Sequence, residues 1–180
     1  EAYCKYYHRH YELPVSIVRL FNSYGPGEVS GQYRNVIPNF IYWALKNQTL
    51  PLTGDDRIAR DFVFVHDTVE GILRAGYYQE AVGESINIAT GSPVKIYDLA
   101  EMINEKTGNK GGVKVIGKRK WDKRPSIYGD TTKAEKLLKF KPNSDFEKGI
   151  DETIEWFKEN WENIENSTDF PPGLSSALDS

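Results

Sequence analysis

The run from Pro14 to Gly27, Pro-Val-Ser-Ile-Val-Arg-Leu-Phe-Asn-Ser-Tyr-Gly-Pro-Gly, constrains this chain more than any other stretch. Val15, Ile17, Val18, Leu20 and Phe21 are mostly β-branched or aromatic and stop at turn residues, which predicts a strand covered on both faces, as in a parallel sheet. Ligands bind beyond the carboxyl ends of such strands, which puts Asn22, Ser23 and Tyr24 where chemistry is expected. Gly25-Pro26-Gly27 then breaks the chain and allows close backbone approach to a ligand.

A chain of 180 residues can bury a sizeable core and reads as one domain or a large fragment of a bigger one. Its net charge of -3 argues against a nucleic-acid binder and leaves small molecules or proteins as partners. The single cysteine, Cys4, excludes an internal disulfide and fits a cytoplasmic setting. No signal-peptide pattern or membrane-length apolar run is present, so no membrane partner is expected.

Along the chain, Glu1 to Tyr11 has helical spacing with no capping residue before it. His8 and His10 lie two apart, which does not place them on one helix face, so packing rather than metal binding is the reading here. Asn35 to Lys46 reads as a helix with Asn35 as N-cap and Pro38 in the first turn. Strands are expected at 50–53 and 61–65, then a helix from Asp67 or Thr68 through Tyr78. A buried strand at 85–90 precedes a helix from Ile96 to Thr107 capped by Gly108-Asn109, and Gly112 to Gly117 is strand-like. After the polar segment 118–130 come a short helix, 132–139, and an amphipathic one, 146–161. Residues 163–180, with few large apolar side chains and Pro171-Pro172-Gly173, read as a flexible tail after a 1–162 part.

Four polar punctuations stand out: Arg19 to Gly27; Asn35; Arg60-Asp61-Phe62 with Val65-His66-Asp67; and Trp121-Asp122-Lys123-Arg124-Pro125. Each has an ordinary explanation alone, as a surface arginine, a helix cap or a basic loop. Together they offer two arginines, two asparagines and a helix start, which is what a diphosphate needs. Asp61 and Asp67 are better read as structural, because capping and loop bonding suffice to explain them.

The ordered set Arg19-Leu-Phe-Asn-Ser-Tyr-Gly-Pro-Gly, Asn35-Val-Ile-Pro, Leu52-Thr-Gly-Asp, Arg60-Asp-Phe-Val-Phe-Val-His-Asp, Asn87-Ile-Ala-Thr-Gly and Lys133-Ala-Glu-Lys-Leu-Leu resembles the carboxyl-terminal half of NAD-dependent nucleotide-sugar epimerases and dehydratases, UDP-glucose 4-epimerase among them. These are extended short-chain dehydrogenases/reductases. The resemblance runs from Glu1 to about Trp161. It implies an α/β fold: the last strands of a Rossmann-type parallel sheet plus a small substrate-binding lobe.

In that family the glycine fingerprint for NAD, the catalytic Ser/Thr and the Tyr-x-x-x-Lys pair lie upstream of the position matching Glu1. No catalytic residue is therefore expected here, and no Tyr with Lys four residues on opens the chain. Gly25-Pro-Gly27 with Gly31 has the wrong spacing for a dinucleotide fingerprint. By resemblance, Asn22, Asn35 and Val36 contact the nucleotide diphosphate or sugar, Arg60 and Arg124 grip the phosphates, and Leu52 and Thr53 lie by the base. Backbone at Phe21, Ser23 and Tyr24 would lie by the nicotinamide. After Arg124-Pro125 the chain reads Ser126-Ile-Tyr-Gly-Asp130, where the commonest family pattern has Gly-Asp directly. The resemblance further implies a parent reaction of NAD-dependent hydride removal and return, a nucleotide-diphosphate-sugar substrate, and a homodimer or self-associated fragment that is inactive alone and holds no NAD tightly. It leaves epimerase, dehydratase and decarboxylase open. A non-catalytic nucleotide-sugar-binding or protein-interaction module is the rival reading.

Overall fold

The computed structural model describes residues 1–32, 34–54, 57–117 and 125–168. The helices are α1 (Ala2–Tyr11), α2 (Val36–Leu45), α3 (Val65–Tyr77), α4 (Ile96–Thr107), α5 (Thr132–Leu138), α6 (Phe146–Glu159) and α7 (Trp161–Ser167). The strands are β1 (Ile17–Leu20), β2 (Asn22–Tyr24), β3 (Leu50–Thr53), β4 (Ala59–Arg60), β5 (Phe62–Phe64), β6 (Ser85–Ile88), β7 (Val94–Lys95), β8 (Val113–Gly117) and β9 (Ser126–Ile127). The chain divides into two interleaved compact units: Glu1–Ser23, Asp61–Ser92 and Tyr128–Ser144 form one, Tyr24–Arg60, Pro93–Ile127 and Asp145–Ser180 the other.

In the first unit β1 and β6 pair in parallel, Ile17 opposite Ser85 through Leu20 opposite Ile88. Parallel neighbours need a long crossover, and the chain between them contains β5 and α3. The core is Val63, Ile86, Ile88, Leu138 and Phe140 with Ala75, Ala81 and Ala134, and Val18 and Phe21 pack against it. α3 approaches β6 so closely that a Cβ at Gly71 would stand 2.8 Å from Ile88 side-chain atoms.

Three expectations change here. β1 is not covered on both faces: its residues run from half-buried to exposed, and Leu20 is 49% exposed. The reason is its single strand partner among the described residues, β6, and a helix α1 that buries none of its own side chains. Asn22 to Tyr24 is not a loop beyond the strand but strand β2, which pairs with β5. α3 begins at Val65, so Asp67 sits inside the first turn rather than capping it, and its buried carboxylate accepts from Asn143 N at 3.3 Å and Ser144 N at 3.1 Å.

The second unit packs α2 against α4 and α6. Its interior is Ile37, Phe40, Ile41, Leu50, Leu52, Leu99, Ile103, Ile150, Ile154 and Phe157. At roughly 1.5–3 kcal/mol per fully buried large apolar side chain, these faces rather than helix propensity hold the unit together. β3 pairs with β8 in parallel, and β4 lies between antiparallel β7 and parallel β9. Asp145 caps α6 by accepting from Lys148 N at 2.9 Å. The expected tail boundary at 162 falls inside α7, where Ile164 is 2% exposed, because Ile164 supplies an apolar contact that the composition of the segment obscures. Residues 169–180 lie outside the described residues.

Candidate functional site

In the first unit the motif after β1 is organised by Asp61, which is fully buried. One carboxylate oxygen accepts from Thr90 N at 2.9 Å and Thr90 Oγ1 at 2.6 Å. The other accepts from Gly91 N at 2.9 Å and Gly129 N at 3.1 Å. A buried carboxylate is tolerated when charge-assisted donors surround it, and here four tie the 90–91 loop to Gly129. Its own carbonyl accepts from Asn22 N at 3.2 Å and Asn22 Nδ2 at 2.9 Å. Asn22, read as a substrate contact, thus has a half-buried side chain whose amide nitrogen is engaged with the backbone. The Ser23 and Thr68 hydroxyls share a hydrogen bond of 2.9 Å. Phe21 packs on the core.

In the second unit Asn35 holds the N-cap position of α2 with extended backbone (φ -65°, ψ 165°) but makes no side-chain cap. Its Nδ2 donates instead to Glu28 Oε1 at 2.9 Å. Burial raises the Glu28 carboxyl above the ordinary glutamate range, against the opposing pull of the Asn35 hydrogen bonds and the Arg34 charge. Asn39, missed in the sequence and buried on α2, fixes this loop by accepting from Gly31 N at 2.9 Å and donating to Gly31 O at 3.1 Å. An asparagine four residues past an N-cap, in an otherwise apolar face, was the available signal. The result is an exposed Asn35 and half-buried Val36 at a helix N-terminus, where backbone amides and the helix dipole favour an anion.

Arg60 lies on β4, in register with Val94 on one side and Ile127 on the other. Pro125 O accepts from Ala59 N at 2.7 Å and from the Arg60 guanidinium at 3.4 Å. Arg60 is thereby held beside the residue that directly follows Arg124; Arg124 and Trp121 themselves lie outside the described residues. On β3 the Leu52 side chain is 1% exposed while Thr53 is half-buried, so Leu52 can reach a base only through its main chain. Tyr24 is also in this unit's core, its hydroxyl donating to Phe146 O at 3.2 Å.

Tyr42 and Lys46 form the sequence's one Tyr-x-x-x-Lys spacing, which the sequence reading, confined to the amino end, missed. The Tyr42 hydroxyl is not poised for chemistry. It donates to Thr168 O at 2.7 Å, the ring is 3% exposed and stacks on Trp161, and Lys46 pairs with Glu165 at 3.1 Å. The described residues also do not fit the pyrophosphate of a dinucleotide. Gly27 (φ 99°) opens onto space rather than onto a close neighbour, no helix follows it before Val36, and β5 passes into α3 without a glycine.

A parallel strand pair bridged by helical crossover and tied together by a buried aspartate hub defines a Rossmann-type α/β protein. The chain belongs to the GDP-mannose 4,6 dehydratase family, whose model matches residues 1–153, and with it to the extended short-chain dehydrogenase/reductase epimerases and dehydratases. It is 36% identical over 152 residues to a UDP-N-acetyl-alpha-D-glucosaminuronate decarboxylase of Bacillus cytotoxicus, covering 82% of this chain and 47% of that protein. It is 32% identical to a UDP-glucuronate 4-epimerase of Thermodesulfobacterium geofontis, covering 89% of this chain and 48% of that protein. Among solved structures, an epimerase from Methanothermobacter thermautotrophicus superposes with a TM-score of 0.91 at 44% identity, over 94% of this chain and 50% of that one. The Bordetella bronchiseptica enzyme WbmF, solved in complex with NAD+ and UDP, gives 0.80 at 38% identity, over 92% of this chain and 52% of that one. The chain spans about half the length of the curated relatives named here.

Proposed function

We propose that this chain is the nucleotide-diphosphate-sugar-binding part of an NAD-dependent, UDP-glucose 4-epimerase-like enzyme, epimerase or dehydratase, of the cytoplasm. The observation that carries the reading is the β4–β9 register, which holds Arg60 beside Pro125 and so next in chain to Arg124. An arginine pair of this kind, Arg60 with Arg124, suits a diphosphate, because each planar guanidinium can offer a bidentate fork. Asn35 and Val36 add a polar side chain and amides at the start of α2, and Thr53 with the Leu52 main chain offers a surface for the base. Asn22, anchored on Asp61, contributes on the sugar side, and backbone at Phe21 to Tyr24 on the nicotinamide side. The complex of WbmF with NAD+ and UDP supports the same ligand classes.

In this reading the chain's residues bind and orient the nucleotide sugar, so that affinity for the remote diphosphate positions the reacting sugar carbon. The chain alone performs no turnover and holds NAD weakly at best, a reading supported by the commitment of Tyr42 to packing and by the misfit of Gly27 to a pyrophosphate. A turnover assay with added NAD and UDP-, GDP- and dTDP-sugars tests this directly. Product formation by the purified chain would refute it.

A further inference from the structure

We propose that the first unit carries a separate site for a small phosphomonoester, in the cavity of about 350 Å³ lined by Lys5, His8, Arg9, Arg19, Ser85 and Lys133, with Gly83 and Glu84. This inference does not rest on the nucleotide-sugar reading, since none of these residues belongs to it. Four cations converge on one cavity against two carboxylates, Glu84 in its lining and Glu1 beside Arg19, both of which also feel the Lys5 charge. Two are partly neutralised: Lys133 pairs with Glu84 at 2.7 Å, and Arg19 with Glu1 at 2.7 Å. Lys5 and Arg9 have no ion-pair partner among the described residues. They stand four apart on α1, where like charges repel and weaken the helix. An anion between them would turn that repulsion into attraction.

Two further observations point to a ligand. Ser85, at the start of β6, lines the cavity and has a buried hydroxyl without a hydrogen-bond partner among the described residues. Buried hydroxyls are normally satisfied, and a rotation about χ1 would turn this one from its enclosed position towards a phosphoryl oxygen in the cavity. Gly83 (φ 81°) lets His8 lie against the main chain, since a Cβ there would stand 2.5 Å from His8 Nε2. His8 Nδ1, 2.8 Å from Leu13 O, donates to it, which fixes the ring at the cavity wall. The cavity falls in the size range of small-molecule sites and exceeds a bare inorganic ion, which favours a phosphomonoester over free phosphate.

The test is a calorimetric titration of the full 180-residue chain with glycerol 3-phosphate, inorganic phosphate and sulfate at constant ionic strength. Saturable binding is expected, tightest for glycerol 3-phosphate. Removing both free cations in Lys5→Ala/Arg9→Ala should weaken it by about tenfold or more, the scale of a lost charge-assisted contact. Glu84→Gln, which removes a competing carboxylate, should tighten it, and Lys136→Ala, which removes a positive charge outside the cavity, should leave it unaltered. The opposite signs keep the test decisive even if the double variant folds poorly. Absence of saturable binding, equal affinity for all three anions, or indifference to both Lys5→Ala/Arg9→Ala and Glu84→Gln would overturn the site.

Discussion

At the scale of single residues, buried Asp61 of the first unit and half-buried Glu28 of the second affect stability in opposite ways. Asp61 is enclosed by four donors, so Asp61→Ala leaves those donors unpaired and should cost on the order of 3 kcal/mol or more of stability, readable as a lower denaturation midpoint. Glu28 accepts from the Asn35 side chain, and burial raises its carboxyl pKa. A carboxyl raised on folding binds its proton more tightly in the native state. Its ionisation therefore removes stability as pH rises from the ordinary glutamate value through the raised one, and the loss is absent below both. Glu28→Gln keeps an acceptor for Asn35 without the charge, and should match or exceed the wild-type melting temperature at pH 7, with the gap closing on acidification below the ordinary glutamate range. A variant less stable than wild type at pH 7 but not at low pH would contradict this sign.

At the scale of elements, Gly71 measures how tightly α3 seats on β6. Alanine is the better helix former by about 1 kcal/mol, but its Cβ would stand 2.8 Å from Ile88 atoms. Overpacking of this kind costs about 1–3 kcal/mol, so the net effect of Gly71→Ala is destabilising, which thermal melting will show. Long apolar-periodic elements were legible in the sequence: α4 from Ile96 to Thr107, with its Gly108 cap, and β3 from Leu50 to Thr53 lie as expected, and α2 within a residue of its expected end. Periodicity sees a face that one chain segment makes by itself. It does not see β7 and β9, two residues each, whose only reason to be strands is pairing with β4. Nor does it show that Asn35 gives its amide to Glu28, because that choice depends on a loop that Asn39 pins from the next helical turn. The structural reading of Asp61 and Asp67 was accessible from local polarity, whereas their partners, at Gly129 and at Asn143 and Ser144, are separated in sequence by more than 60 residues.

At the scale of the whole molecule, apolar surface stays uncovered on the first unit. Tyr3, Tyr11, Leu20, Leu73 and Tyr77 are each at least 49% exposed, and Pro14, Val18, Ile72, Tyr78 and Val82 line an open groove of about 410 Å³. β1 adds a strand with one neighbour among the described residues. Exposed apolar patches and strand edges favour association. Light scattering coupled to size exclusion should therefore give a mass above 20.6 kDa that rises with concentration, and Leu20→Lys should reduce it. A monomer at every concentration that binds no hydrophobic dye would mean that these surfaces do not drive pairing.

The central claim, that this chain grips a nucleotide diphosphate through Arg60 and its strand neighbours, is tested most directly by calorimetric titration of the chain with UDP, comparing wild type with Arg60→Ala. Charge-assisted contacts contribute about 1.5–3 kcal/mol, so saturable binding weakened by roughly one to two decades in the variant is the predicted result. Undetectable UDP binding by the wild-type chain, or an affinity that Arg60→Ala leaves unchanged, would contradict it.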